Sequence, residues 1–141
     1  QVARKKITKG KIMSLDVKNM KKLDNVYFLR ADIADSEIYN KIFTYFDKKI
    51  DVIISDMAIN TSGNKNLDSY RIGELCLASM DLAKKILNLN GVFVSKVFMG
   101  SIFSEINSKA NKCFKKVVIY KPLSSRKESK EIYIYCKGIK T

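Results

Sequence analysis

Short apolar runs alternate with helical stretches along most of the chain. Lys11 to Leu15 (KIMSL) and Val26 to Arg30 (VYFLR) are brief apolar runs, with the acidic residues Asp16 and Asp32 just beyond them. Ile50 to Ser55 and Val92 to Val97 are near-continuous runs of β-branched and aromatic residues, the pattern of parallel strands buried on both faces. Leu67 to Leu89 repeats apolar side chains at helical steps through Leu75, Ala78, Leu82, Ile86 and Leu89, and Asn90-Gly91 is placed to stop that helix. Ser36 to Phe46 and Ser101 to Phe114 also carry apolar residues at helical spacing. The chain closes with Lys116 to Tyr120, the polar loop KPLSSRKESK and Glu131 to Cys136, which reads as two strands joined without a helix. Strands alternating with helices predict a mostly parallel α/β sheet, and the final strand pair predicts an antiparallel strand at its edge.

Composition narrows the class. A length of 141 residues suits a single domain over 1–141, and neither an internal repeat nor an interdomain linker interrupts it. Hydrophobic residues make up 46% and charged residues 29%, and no apolar run approaches the roughly 20 residues that span a bilayer. Lys and Arg total 27 against 14 Asp and Glu, a formal charge of +13 that calls for a polyanionic partner. Because the cations are spread along the chain rather than gathered on one amphipathic helix, that partner reads as nucleic acid rather than a membrane. Cys76, Cys113 and Cys136 form no C-x-x-C, which indicates neither a disulfide framework nor a zinc site and fits a reducing compartment. There is no histidine, so acid–base chemistry falls to Lys, Asp, Glu or Tyr.

Ligands of parallel sheets sit at the carboxyl ends of strands. Asp16, Asp32 and Asp56 follow apolar runs, so three carboxylates are expected on one rim, able to accept hydrogen bonds from ribose hydroxyls, a purine amino group and a cation. The plainer account is that Asp is common there as a turn former or helix cap. Lys96 interrupts GVFVSKVFM, the most apolar strand, and burying an ammonium costs several kcal/mol unless it is paired or loses its proton. It reads either as a side chain snorkelling to the sheet edge or as a lysine of lowered pKa held by Asp56. Glu131, at the start of the last strand, adds a third charge.

The run SDMA with Asn60 beyond it, then VSKVFMG, then KPLSSRKESKEIY, resembles the FtsJ-like ribosomal RNA 2'-O-methyltransferases, and the likeness extends from the first residues to the last. The resemblance implies a Rossmann-like S-adenosylmethionine-dependent methyltransferase fold. It assigns Asp56, Lys96 and Glu131 to the last three members of the family's Lys-Asp-Lys-Glu tetrad, with Lys96 acting on the ribose 2'-hydroxyl. It places Asp16, Asp32 and Asp56 against S-adenosyl-L-methionine, and the KPLSSRKESK loop beside RNA. Phosphate contacts are expected from Lys121, Arg126, Lys127 and Lys130 and from the cluster Lys5, Lys6, Lys9 and Lys11. The family's first strand, glycine-rich loop and first Lys have no counterpart: the glycines at 10, 63, 73, 91, 100 and 138 are isolated, and Gln1-Val2-Ala3 reads as the continuation of the helix after that loop. An amino-terminal piece is therefore expected to be missing, and with it tight cofactor binding.

The resulting expectation is 2'-O-methylation of a uridine ribose in large-subunit ribosomal RNA, by a monomer with no membrane association, in a bacterial-type cytoplasm or an organelle such as the mitochondrion. A messenger RNA cap 2'-O-methyltransferase shares the tetrad but usually carries larger additional parts. A noncatalytic basic RNA-binding or ribosome-assembly protein is the alternative outside enzymes.

Overall fold

The computed structural model describes residues 1–60, 62–126 and 128–141. Its contacts group the chain into two compact units, Gln1–Asp47 and Lys48–Thr141.

The first unit carries α1 (Val2–Lys6), β1 (Met13–Asp16), β2 (Tyr27–Arg30) and α2 (Ile38–Phe46). β1 and β2 run parallel, in register from Met13 opposite Tyr27 to Asp16 opposite Arg30. α2 buries Ile38 and Ile42, one helical turn apart, and ends on Asp47 in the left-handed conformation at φ 58°. Tyr45 stacks on Tyr27 at 4.5 Å between ring centroids, and the Lys11 ammonium bonds the Tyr45 carbonyl at 2.8 Å while lying over its ring. Lys11, expected on RNA, is thus engaged with Tyr45.

The second unit contains β3 (Ile50–Ser55), α3 (Lys65–Ile86), β4 (Leu87–Phe98), α4 (Phe103–Cys113), β5 (Phe114–Tyr120) and β6 (Glu131–Ile139). The strands order β3-β4-β6-β5, with β3 parallel to β4 and β6 antiparallel to both of its neighbours. Asn64 caps α3: its side-chain oxygen accepts from the backbone N–H of Asn66 and Leu67 at 3.1 and 3.2 Å. Phe93 and Val97 of β4 and Ile132, Ile134 and Cys136 of β6 form one core with Cys76, Met80 and Ala83 of α3 and Ile106 and Ala110 of α4. Side chains alternate across a strand, so Val92, Val94, Lys96 and Phe98 stand on the face opposite this core. That alternation positions the site.

Three expectations change. The antiparallel strand is interior, and β5 takes the edge, because the last strand inserts between β4 and β5. The long helix stops at Ile86, where Leu87 turns extended (φ −70°, ψ 146°) and already pairs with Ile50, so Asn90-Gly91 lies inside β4. Gly91 serves close packing instead: a Cβ there would lie 3.0 Å from Leu87 side-chain atoms and the Asn88 carbonyl oxygen. Finally, β3 is not covered on both faces; it lies at the sheet edge, with Val52 53% and Ile54 68% exposed. Among the described residues, no helix is long and apolar enough to cross a membrane.

Gly73 sets the approach of α3 to the chain entering α4, since a Cβ there would meet Ile102 Cγ2 at 2.3 Å. Alanine is the better helix former by up to about 1 kcal/mol, yet overpacking costs about 1–3 kcal/mol. Gly73→Ala is expected to lower the unfolding free energy in urea titration, a loss where helix propensity alone predicts a gain.

Candidate active site

Three of the predicted residues come together at one end of the second unit's sheet. Ser55, the last residue of β3, pairs with Ser95, which sets Asp56 beside Lys96. The Lys96 Nζ lies 2.6 Å from Asp56 Oδ1; the lysine side chain is 14% exposed and the aspartate 67%. Among the described residues this is the ion pair of Lys96, while Glu131, opposite Phe98, acts on the amine through its charge. The Glu131 backbone N–H donates to Ser129 Oγ at 3.2 Å, anchoring the start of β6.

The electrostatics correct one reading. Burial works against the charged form of Lys96, but the hydrogen bond and charge of Asp56, followed by the charges of Glu131 and ionised Tyr133, outweigh it and hold the lysine pKa above its ordinary value. A lysine of lowered pKa is therefore not what this chain presents: with an acid at 2.6 Å, the amine rests as a cation.

Tyr133 escaped the sequence reading. It pairs directly with Lys96 across β4 and β6, and its phenol pKa is raised by burial and by the charges of Asp56 and Glu131, with Lys96 opposing. The signal was the alternation along Glu131-Ile132-Tyr133, which puts Tyr133 on the face of Glu131, although the sequence did not reveal that β6 lies next to β4.

Asp16 ends β1 and Asp32 lies two residues beyond β2, at the same carboxyl end of the parallel pair in the first unit. Each also serves its own turn: Asp16 Oδ1 accepts from Lys18 N–H and Asp32 Oδ1 from Ala34 N–H, both at 2.9 Å. Turn making and hydroxyl binding are compatible, because a carboxylate has two oxygens. These carboxylates are able to accept from hydroxyl and amino donors of a ligand.

Of the loop cations, Lys121, Arg126 and Lys130 are exposed, and Lys127 lies outside the described residues. The Lys121 ammonium donates to the Ser129 carbonyl at 2.7 Å and closes the base of the loop. Cys76, Cys113 and Cys136 are free thiols buried in the core, and burial pushes the Cys136 pKa up to about 12. No group of acidic or cysteine side chains among the described residues could hold a metal ion.

The FtsJ-like methyltransferase family matches residues 1–139. The chain is 44% identical over 131 residues to the ribosomal RNA large subunit methyltransferase E of Pelagibacter ubique, covering 93% of this chain and 64% of that protein. It is 37% identical over 142 residues to the protein of the same name in Acinetobacter baylyi, covering 99% and 66%. The chain thus spans just under two thirds of these curated relatives. A crystal structure from Plasmodium falciparum, described as a ribosomal RNA methyltransferase, superposes with a TM-score of 0.82 at 31% identity, covering 98% of this chain and 77% of that one. A Streptococcus mutans protein described as a methyltransferase in complex with SAH shares the fold at a TM-score of 0.55 and 13% identity, over 91% and 71%.

The ion pair makes a directional prediction. Asp56→Asn removes the largest influence favouring the ammonium, so the Lys96 pKa is expected to fall, as read by NMR titration of the lysine side-chain nitrogens. In the unaltered chain the pair stabilises the fold fully below the ordinary lysine pKa of about 10.4, and that contribution is lost as pH rises through the higher folded value. An unchanged Lys96 titration in Asp56→Asn would show that the pair does not govern the amine.

Proposed function

This chain belongs to the FtsJ-like methyltransferase family, and from that premise we propose that its protein transfers a methyl group from S-adenosylmethionine to a ribose 2'-hydroxyl of large-subunit ribosomal RNA, at a uridine. The observation carrying the proposal is a partly buried lysine, ion-paired to Asp56 at 2.6 Å, on the open face of a methyltransferase-type sheet. In this reading the protein acts as a monomer wherever ribosomes are assembled. Asp16 and Asp32, in the first unit, are assigned to hydroxyl and amino groups of the cofactor, and Asp56, in the second, to the amine of Lys96. Arg126, Lys127 and Lys130 hold phosphates, and Lys121 shapes the loop that presents them.

The cofactor supplies a methyl carbon already activated by a positively charged sulfur. The residues' task is therefore alignment and removal of one proton. Lys96 Nζ meets the 2'-oxygen and Asp56 fixes its direction. The amine rests as a cation and in that form orients the 2'-hydroxyl by its charge; once it has released its proton to bulk water, the neutral amine accepts the hydroxyl proton as the new bond forms. Glu131 favours the cation that Lys96 becomes on accepting it. Tyr133 packs beside the amine from β6.

The test is transfer of labelled methyl from S-adenosylmethionine to unmodified large ribosomal subunits by the protein carrying this chain, with recovery of a 2'-O-methylnucleoside. Lys96→Ala is expected to slow transfer about 10²- to 10⁴-fold, the range of a lost general acid–base group, with RNA affinity little changed. RNA binding without cofactor uptake in calorimetry would instead identify a noncatalytic RNA-binding protein. The basic loop has its own readout: RNA affinity is expected to fall steeply with salt, and Lys130→Ala to reduce the slope of log affinity against log salt by about 1.

A further inference from the structure

The strand registers carry the site further across the sheet than the tetrad does. Asp56 follows the Ser55 that pairs with Ser95; Lys96 pairs with Tyr133; and Tyr133 pairs with Tyr120 on β5. Directly paired residues point to the same face, so Asp56, Lys96, Tyr133 and Tyr120 form one row across the strands, about 10 Å from Lys96 to Tyr120 at the usual strand spacing. Tyr120 is the last residue of the edge strand and is 54% exposed. Lys121, whose amine closes the basic loop on Ser129, follows it, and Leu123, 101% exposed, lies just beyond.

Tyrosine is a good strand former, so its type alone could answer to the sheet. Its place is more telling: an aromatic ring on an open face, in line with the reactive amine and next to cations. Unpaired RNA bases stack on such sheet-borne rings while basic side chains hold the phosphates. We propose that Tyr120 is a stacking platform for the unpaired base of a nucleotide next to the one whose ribose meets Lys96. The inference rests on the RNA-methylation reading and deepens it, giving the site a preference for single-stranded or flipped-out RNA. Tyr133 lies between the two positions, where it keeps the ribose and the stacked base apart.

The chain itself tests this. A short single-stranded oligouridylate bearing one 2-aminopurine serves as probe, since stacking quenches that base, and a duplex of the same sequence serves as control. The unaltered chain is expected to bind the single strand and quench it. Tyr120→Phe is expected to keep both properties, and Tyr120→Ala to lose the quench and about 5- to 100-fold in affinity, with duplex binding unaffected. Tyr120→Leu, which keeps bulk and strand preference without the ring, reads out the same loss should the alanine variant fold poorly. Quenching and affinity retained in Tyr120→Leu, or equal losses on the duplex, overturn the stacking platform while leaving the RNA reading intact. No binding of either RNA by the unaltered chain overturns both.

Discussion

An amine on an apolar strand is tolerable only with a counter-charge, and the contact between Lys96 and Asp56 supplies one. Much of the second unit arranges that contact. Parallel pairing of β3 with β4 brings the carboxyl ends of the two strands together, and the Ser55–Ser95 register leaves Asp56 beside the lysine. A shift of one residue would turn Lys96 into the helix-packed core, where the buried polar side chains among the described residues are serines.

The sheet separates stability from chemistry by alternation. Phe93, Ser95 and Val97 face α3 and α4, while Val94, Lys96 and Phe98 face away. β6 repeats the division, with Ile132, Ile134 and Cys136 buried and Glu131, Tyr133 and Tyr135 on the open side. Insertion of β6 between β4 and β5 does more than fill the sheet: it carries Glu131 and Tyr133 to the lysine, which an antiparallel strand at the edge would not have done. A late segment of the chain, from Glu131, thereby completes a site begun at Asp56.

What was legible in the sequence was whatever depends on one strand alone. Lys96 in an apolar run and the acids after apolar runs could be read because hydrophobicity marks strands and a charge within them is costly. Tyr133 could not, since its importance comes from lying opposite Lys96, and the order of strands is not written in local periodicity. The end of α3 was misread because Asn90-Gly91 looks like a helix stop, whereas pairing of Leu87 with Ile50 draws the backbone into the sheet first. β3 looked doubly buried because apolar composition reports what a strand is suited to, and Ile54 is nonetheless mostly exposed at an edge.

The three cysteines come from α3, the end of α4 and β6, yet all belong to the same packed interior. A thiol reagent acts on the thiolate, and burial keeps Cys136 protonated through the whole working range of pH. Alkylation is therefore gated by opening of that interior, so the molecule carries a built-in clock for the loosening of its second unit, readable as the mass that the reagent adds to its own thiols.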